Sequence, residues 1–185
     1  MKARYLISIA GALALAACGS GDNANQTADN ADADAAATPA AQATPAGTTP
    51  LAFVDAMASS DMYEIEAGKL AQDMGTSDKV KSFGAMMEKD HTASSAKLKD
   101  AATQSGGLKP AATMMPKHQQ NLDALKSAGD QFDKLYAQQQ VAAHQEALGM
   151  LEGYAGNGSE EPLKAFASAT APVVEGHLAQ ARELP

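Results

Sequence analysis

Four long stretches of this chain repeat apolar residues with the period of a helix, and each ends at a turn signal. The pattern is typical of α-helices that bury one face. Alanine, methionine and leucine are common over residues 50–185 and β-branched residues are few, which favours helices over strands. The sequence therefore predicts an all-α domain over residues 50–185, built as a four-helix bundle.

Glycines and capping residues set the expected helix boundaries. Gly75, Gly106-Gly107 and the Gly156-Asn157-Gly158 turn end helices, and Pro162 suits a first helical turn. The longer connection after the second helix predicts a short extra helix over residues 116–125. The long helices are expected at about 51–74, 78–105, 131–154 and 161–184.

One ionisable side chain lies on the predicted buried face of each long helix. These residues are Glu64, His91, His144 and His177. A buried imidazole or carboxylate must be hydrogen-bonded, paired or metal-bound to offset its desolvation. Bundles often build metal sites from side chains on facing helices, so we interpret the four residues as candidate ligands of one ion. Glu88 is a weaker candidate, because its Glu-x-x-His spacing to His91 lets both side chains meet one metal.

The residue types indicate which metals such a site would take. A set rich in histidine and poor in carboxylates suits zinc, copper or iron better than magnesium or calcium. It offers too few carboxylates for a di-iron centre. Oxidase or peroxidase activity is therefore less well supported by the sequence than metal binding without catalysis. The alternative is a non-catalytic structural or interaction module whose core histidines are satisfied by hydrogen bonds, and the sequence leaves both readings open.

Three further side chains have two possible roles each, one at a metal site and one in the structure. Asp90 and Asp133 are candidates to hold a histidine through its second ring nitrogen. Alternatively, Asp90 is solvated and Asp133 caps a helix. His118, together with Met114 and Met115, is a set that suits copper(I), unless the methionines simply pack over the end of the bundle.

The first eighteen residues have the pattern of a lipoprotein signal peptide. Two basic residues precede an apolar run, which ends in Leu15-Ala16-Ala17-Cys18. The run is about thirteen residues long, whereas a bilayer-spanning helix needs about 20. We predict cleavage after residue 17 and lipid attachment at Cys18, on the periplasmic side of the envelope. Gly19 favours the outer membrane by resemblance to sorted bacterial lipoproteins.

Residues 18–49 join the lipidated cysteine to the domain. They are mainly alanine, asparagine, aspartate, threonine and proline, with no large apolar side chain, which predicts a disordered tether. The whole chain has 22 acidic and 14 basic side chains, so it is a poor partner for nucleic acid or anionic lipid headgroups. The expected partners are the membrane, through the acylated Cys18, and an envelope protein.

Several short blocks resemble a family of bacterial exported proteins, which are ferritin-like in fold and described as outer-membrane proteins with a domain of unknown function. The resemblance implies a four-helix, ferritin-like fold and no established reaction. Ala143 departs from it, since an aspartate is common before His144, and Ala171 stands where leucine is usual. The blocks are Phe53, Ala56, Met62-Tyr63-Glu64, Gly68-Lys69-Leu70-Ala71, Val80, Phe83, Met87, Asp90-His91, Phe132-Asp133, Tyr136, His144, Leu163-Lys164-Ala165-Phe166-Ala167, Pro172 and His177.

Overall fold

The computed structural model describes residues 48–185, and every regular element within this range is helical. The prediction of an all-α domain is therefore confirmed, as is the short helix after Pro116. The predicted signal peptide, Cys18 and nearly all of the tether over 18–49 lie outside the described residues. The elements are α1 (Pro50–Met74), α2 (Asp78–Gln104), α3 (Pro116–Lys126), a single 3₁₀ turn (Gly129–Gln131), α4 (Phe132–Asn157) and α5 (Glu161–Ala181).

The first residues of the helices carry the caps that local chemistry requires. The Thr49 hydroxyl accepts a hydrogen bond from the backbone N–H of Ala52 at 3.2 Å, which satisfies one free donor at the start of α1. Ser77 does the same for α2 by accepting from the N–H of Lys79 at 3.2 Å. Prolines occupy the first turns of α1, α3 and α5, where no backbone donor is needed.

The four long helices pack around a common interior. α1 packs along α2, and α4 packs along α5. The two pairs meet through α2 against α5 and α1 against α4, while α3 lies against α1 and α4. Each long helix thus faces the interior with one side, which brings side chains from all four to the same place.

The core consists of two apolar clusters with polar side chains between them. Along each long helix, a buried polar residue follows members of one cluster and precedes members of the other. The site described below is therefore a polar layer in the middle of the domain. The first cluster is centred on Phe53, Met57, Leu98, Leu151, Leu163, Phe166 and Val174, and the second on Tyr63, Val80, Phe83, Met87, Leu125, Phe132 and Tyr136.

Small residues let α1 and α2 approach closely. A Cβ atom added to Gly68 would lie 2.5 Å from the carbonyl oxygen of Gly84, and one added to Gly84 would lie 2.6 Å from the Cβ of Ala71. Neither position has room for a side chain, so both glycines are required by packing. This contact fixes the height at which the polar residues of α1 meet those of α2.

The two adjacent valines of α5 differ in burial. Val173 is 48% exposed, whereas its neighbour Val174 is 3% exposed. Successive helical residues point about 100° apart, so both valines cannot face the interior, and Val174 takes that place.

Within residues 48–185, no helix has the length and apolar character that crossing a bilayer requires.

Candidate metal centre

Three imidazole rings converge in the polar layer: His91 of α2, His144 of α4 and His177 of α5. All three are buried, with exposed fractions of 6%, 1% and 5%. One ring nitrogen from each lies within 4.8 Å of the other two. Three points spaced in this way lie within about 2.8 Å of a common centre, close to the 2.0–2.1 Å of a zinc–nitrogen bond. Small side-chain shifts would therefore place all three nitrogens on one ion.

The second nitrogen of each ring is held by an oxygen acceptor. Nδ1 of His91 donates to Oδ1 of Asp61 at 2.7 Å, and Nδ1 of His144 donates to the backbone carbonyl of Gln140 at 2.9 Å. Nε2 of His177 donates to Oδ2 of Asp90 at 3.2 Å. Carboxylate and carbonyl oxygens only accept, so these bonds fix which nitrogen carries the proton in each ring.

The remaining nitrogens are the ones that an ion could use. Nε2 of His91, Nε2 of His144 and Nδ1 of His177 are buried and have no hydrogen-bond partner among the described residues. In a neutral ring whose other nitrogen is protonated, each of these atoms carries a lone pair. Buried polar atoms without partners are costly, so these three nitrogens are suited to a ligand that would satisfy them.

Asp61 belongs to this site, although the sequence analysis did not select it. The side chain is 1% exposed, and its Oδ2 accepts from the hydroxyl of Ser95 at 3.3 Å. The signal was present in the periodicity, because Asp61 lies four residues after Met57 and three before Glu64, on the same helical face. In metal sites, the ring nitrogen of a histidine that does not bind the metal commonly donates a hydrogen bond to a carboxylate such as that of an aspartate.

Glu64 is buried beside the cluster but outside the group of three converging nitrogens. Its Oε2 accepts from the side-chain amide of Gln140 at 2.7 Å, and its Oε1 lies 3.8 Å from Nδ1 of His144. Burial raises the pKa of Glu64 to about 7, more strongly than the nearby His91 and Gln140 lower it. Glu64 is thus a carboxylate that the fold keeps poorly solvated next to the rings.

The three rings differ in basicity. Burial alone would lower the pKa of His91, but the hydrogen bond to Asp61 and the charge of Glu64 outweigh it, so the pKa of His91 is raised. Burial and then the charge on His91 lower the pKa of His144 to about 3. The same two causes lower the pKa of His177. His144 and His177 are therefore neutral rings at neutral pH, which is the form that binds metals.

Other candidates from the sequence lie elsewhere. Glu88 is outside the histidine group, and its Oε2 accepts from the side-chain amide of Gln72 at 2.8 Å. Asp133 accepts from Thr76 and Ser77 in the turn between α1 and α2, so it stabilises that turn rather than a histidine.

His118 is also buried apart from the three converging rings. Its Nδ1 is 2.7 Å from the hydroxyl of Ser59, and its ring stacks on that of Tyr63 with centroids 5.3 Å apart. Ser59 also accepts from the backbone N–H of Met115 at 2.7 Å. These contacts fasten the start of α3 to α1.

Fold and site together define the class: an all-α domain with a buried cluster of three histidines supported by carboxylates. Comparison with protein families matches residues 34–184 to DUF4142, a domain of unknown function, and the chain belongs to this family. No curated protein and no solved structure matched the chain.

Proposed function

We propose that this protein binds one divalent transition-metal ion through His91, His144 and His177. The observation that carries the proposal is the arrangement of the ring nitrogens. Each ring has one nitrogen fixed as a donor by an oxygen and one buried nitrogen without a partner among the described residues. Chance packing of three core histidines gives no reason for one nitrogen of each ring to lie within 4.8 Å of the other two.

The charges around the rings support a divalent ion. Asp61 and Asp90 bond to ligand rings, and Glu64 lies beside them, so negative charge is available to offset a buried cation. Imidazole ligands suit zinc, copper and iron, and the site lacks the oxygen-rich ligand set that calcium and magnesium prefer. Glu64 contributes in this proposal through its charge, and Glu88 is not needed.

The same proposal includes the setting of the site. The packing of the four long helices supports a ferritin-like four-helix bundle, in line with the family resemblance. Cys18 carries the lipid that anchors the chain to the envelope, with the outer membrane as the expected location. Storage, sensing or stress protection in the periplasm are the roles that a bound metal would serve there.

Expression of the full chain with a labelled fatty acid tests the anchor, because Cys18→Ser should abolish labelling and release the protein from membranes.

Metal analysis tests the binding site directly. The chain without a histidine tag is reconstituted with Zn²⁺, Co²⁺, Cu²⁺ or Fe²⁺, dialysed, and analysed for metal per protein. We expect an equimolar content that is lost in the variant with both His91→Ala and His177→Ala. His118→Gln is the matched control, because His118 is a buried histidine outside the cluster. Wild-type protein that retains none of the four metals would refute the site.

The second candidate function is a structural or interaction module without a metal. It is favoured by the way the hydrogen bonds cross between helices: Asp61–His91 joins α1 to α2, and Asp90–His177 joins α2 to α5. This second function predicts that variants of the three histidines unfold at lower urea concentrations than wild type. It also predicts that added metals do not change the stability of wild type or of the variants. Urea unfolding with and without metal separates it from the first proposal.

A further inference from the structure

A surface groove runs between α2 and α5 and ends beside the histidine cluster. Its volume is about 380 Å³, and its lining includes Asp90, Lys97, Asp100, Ala169 and Val173. Asp90 is both a wall of the groove and the acceptor for Nε2 of His177. Only the side chain of Asp90 therefore lies between the groove and the proposed ligand His177.

The site is most open on this side. Asp90 has a side chain that is 34% exposed, whereas Asp61, the other supporting carboxylate, is 1% exposed. The two rings on α2 and α5 keep a little exposure, while His144 on α4 is almost fully enclosed. On α1 and α4, by contrast, the site residues Asp61 and His144 are closed to solvent.

His177 is the ligand most easily displaced. Its bond to Asp90 is 3.2 Å long, compared with 2.7 Å for the bond between His91 and Asp61. Pro172 lies five residues before it in α5 and removes one backbone hydrogen bond from the helix at that point. A partly exposed acceptor and a helix that lacks one backbone hydrogen bond make His177 easier to displace than a ring held from within the core.

The groove also suits a cation in size and charge. A metal ion with six waters occupies about 200 Å³, because each water takes up about 30 Å³. Asp90 and Asp100 outnumber the single lysine of the lining, Lys97, so the groove is net negative. Charges of this kind in a cleft raise the rate at which oppositely charged ligands arrive.

Building on the proposed metal site, we infer that the ion reaches and leaves the three histidines through the α2–α5 groove. Asp90 attracts the hydrated cation, and displacement of His177 admits it to the cluster. Loading and release are then controlled from this surface, and the exposed part of the groove sets their rates without setting the final affinity.

Stopped-flow loading of the full chain with Co²⁺ at low ionic strength tests this route. Lys97→Glu should speed loading about tenfold, because it makes the groove more negative without touching a ligand. Lys79→Glu is the matched control, since it adds the same charge at the far end of α2. In a second pair, Ala169→Trp fills the groove and should slow loading about tenfold, whereas Ala142→Trp on the exposed face of α4 should not.

Zinc release to a chelator from the same variants completes the test. The route is supported if Lys97→Glu and Ala169→Trp change the loading and release rates while the metal content at equilibrium stays equimolar. Equal rates for each variant and its control would overturn the route and leave the metal site intact. A wild-type protein that retains none of Zn²⁺, Co²⁺, Cu²⁺ and Fe²⁺ would overturn the proposed function, and the route with it.

Discussion

Asp61 of α1 and His91 of α2 form a buried hydrogen bond of 2.7 Å between Oδ1 and Nδ1. The bond turns Nε2 of His91 into the free nitrogen of the ring, and that atom is buried. It also joins the first helix, which supplies none of the three converging nitrogens, to the site. Asp61 is therefore a positioning residue in the proposed metal centre.

Removing Asp61 should weaken metal binding without abolishing it. In Asp61→Ala the ring of His91 loses its orienting acceptor, so we expect metal affinity to fall about 10–100-fold while the stoichiometry stays at one. Competition titration with a Co²⁺ indicator measures the affinity. Asp100→Ala is the control, because Asp100 is an exposed aspartate of the same helix α2 and lies outside the histidine group. An unchanged affinity in Asp61→Ala would contradict the role assigned to this residue.

The close approach of α1 and α2 should be sensitive to a single methyl group. A Cβ at position 84 would meet Ala71 Cβ and Gly68 O at 2.6 Å each, so Gly84→Ala should lower the free energy of unfolding by about 1–3 kcal/mol. Gly176→Ala is the matched control, since nothing lies within 4 Å of its added Cβ. That variant should gain about 0.5–1 kcal/mol from reduced chain entropy. Urea denaturation of metal-free protein measures both, and equal values would contradict the packing argument.

The helices and the inward histidines could be predicted because both follow from the 3.6-residue period. His91, His144 and His177 each lie in step with large apolar neighbours, so their burial was evident before any contact was known. Val173 and Val174 show the limit, because adjacent valines fit the 3.6-residue period almost equally well and only packing selects Val174 for the interior.

The partners of the histidines could not be predicted to the same degree. Asp61 and Asp90 look alike in the sequence, yet one is buried and the other lines a groove. Their pairing depends on the relative heights of α1, α2 and α5, which tertiary packing sets. Asp133 shows the same limit, because its acceptor role lies in the α1–α2 turn, far from it along the chain.

Asp133 should stabilise the protein in a pH-dependent way. Burial alone would raise the pKa of Asp133, but the hydrogen bonds from Thr76 and Ser77 outweigh it, so the pKa is lowered from 3.8. Its stabilising contribution is therefore full above the unfolded-state pKa and is lost as pH falls through the folded-state pKa. We expect Asp133→Asn to cost about 1–2 kcal/mol at pH 7.

The test compares urea unfolding of wild type and Asp133→Asn at pH 7 and at a series of pH values below 3.8. The difference between the two proteins should shrink as the pH falls through the folded-state pKa, because the wild-type carboxyl then becomes protonated. Asp130→Asn is a suitable control, since Asp130 is an exposed aspartate of the 3₁₀ turn. A difference that stays constant with pH would show that the charge of Asp133 is irrelevant.

Replacing His144 by leucine separates a metal ligand from a structural core residue. In metal-free protein Nε2 of His144 is buried without a partner among the described residues, and burial lowers the pKa of the ring to about 3, so the ring is neutral. Leucine removes an unsatisfied polar atom while it fills a similar space. Without metal, we therefore expect His144→Leu either to increase the free energy of unfolding or to decrease it by less than about 1 kcal/mol.

The same variant should respond differently once metal is added. With free Zn²⁺ at 100 times its dissociation constant, wild type should gain about 2.7 kcal/mol of stability, and His144→Leu should gain much less because a ligand is missing. Urea unfolding in chelator and in Zn²⁺ gives all four values. A loss of 2–3 kcal/mol in the variant under both conditions, with no gain for wild type in Zn²⁺, would assign His144 to the structural core. If the site serves to bind metal and reduces the stability of the metal-free protein, His144→Leu should cost little stability in chelator. Wild type should then gain clearly more stability than the variant in Zn²⁺.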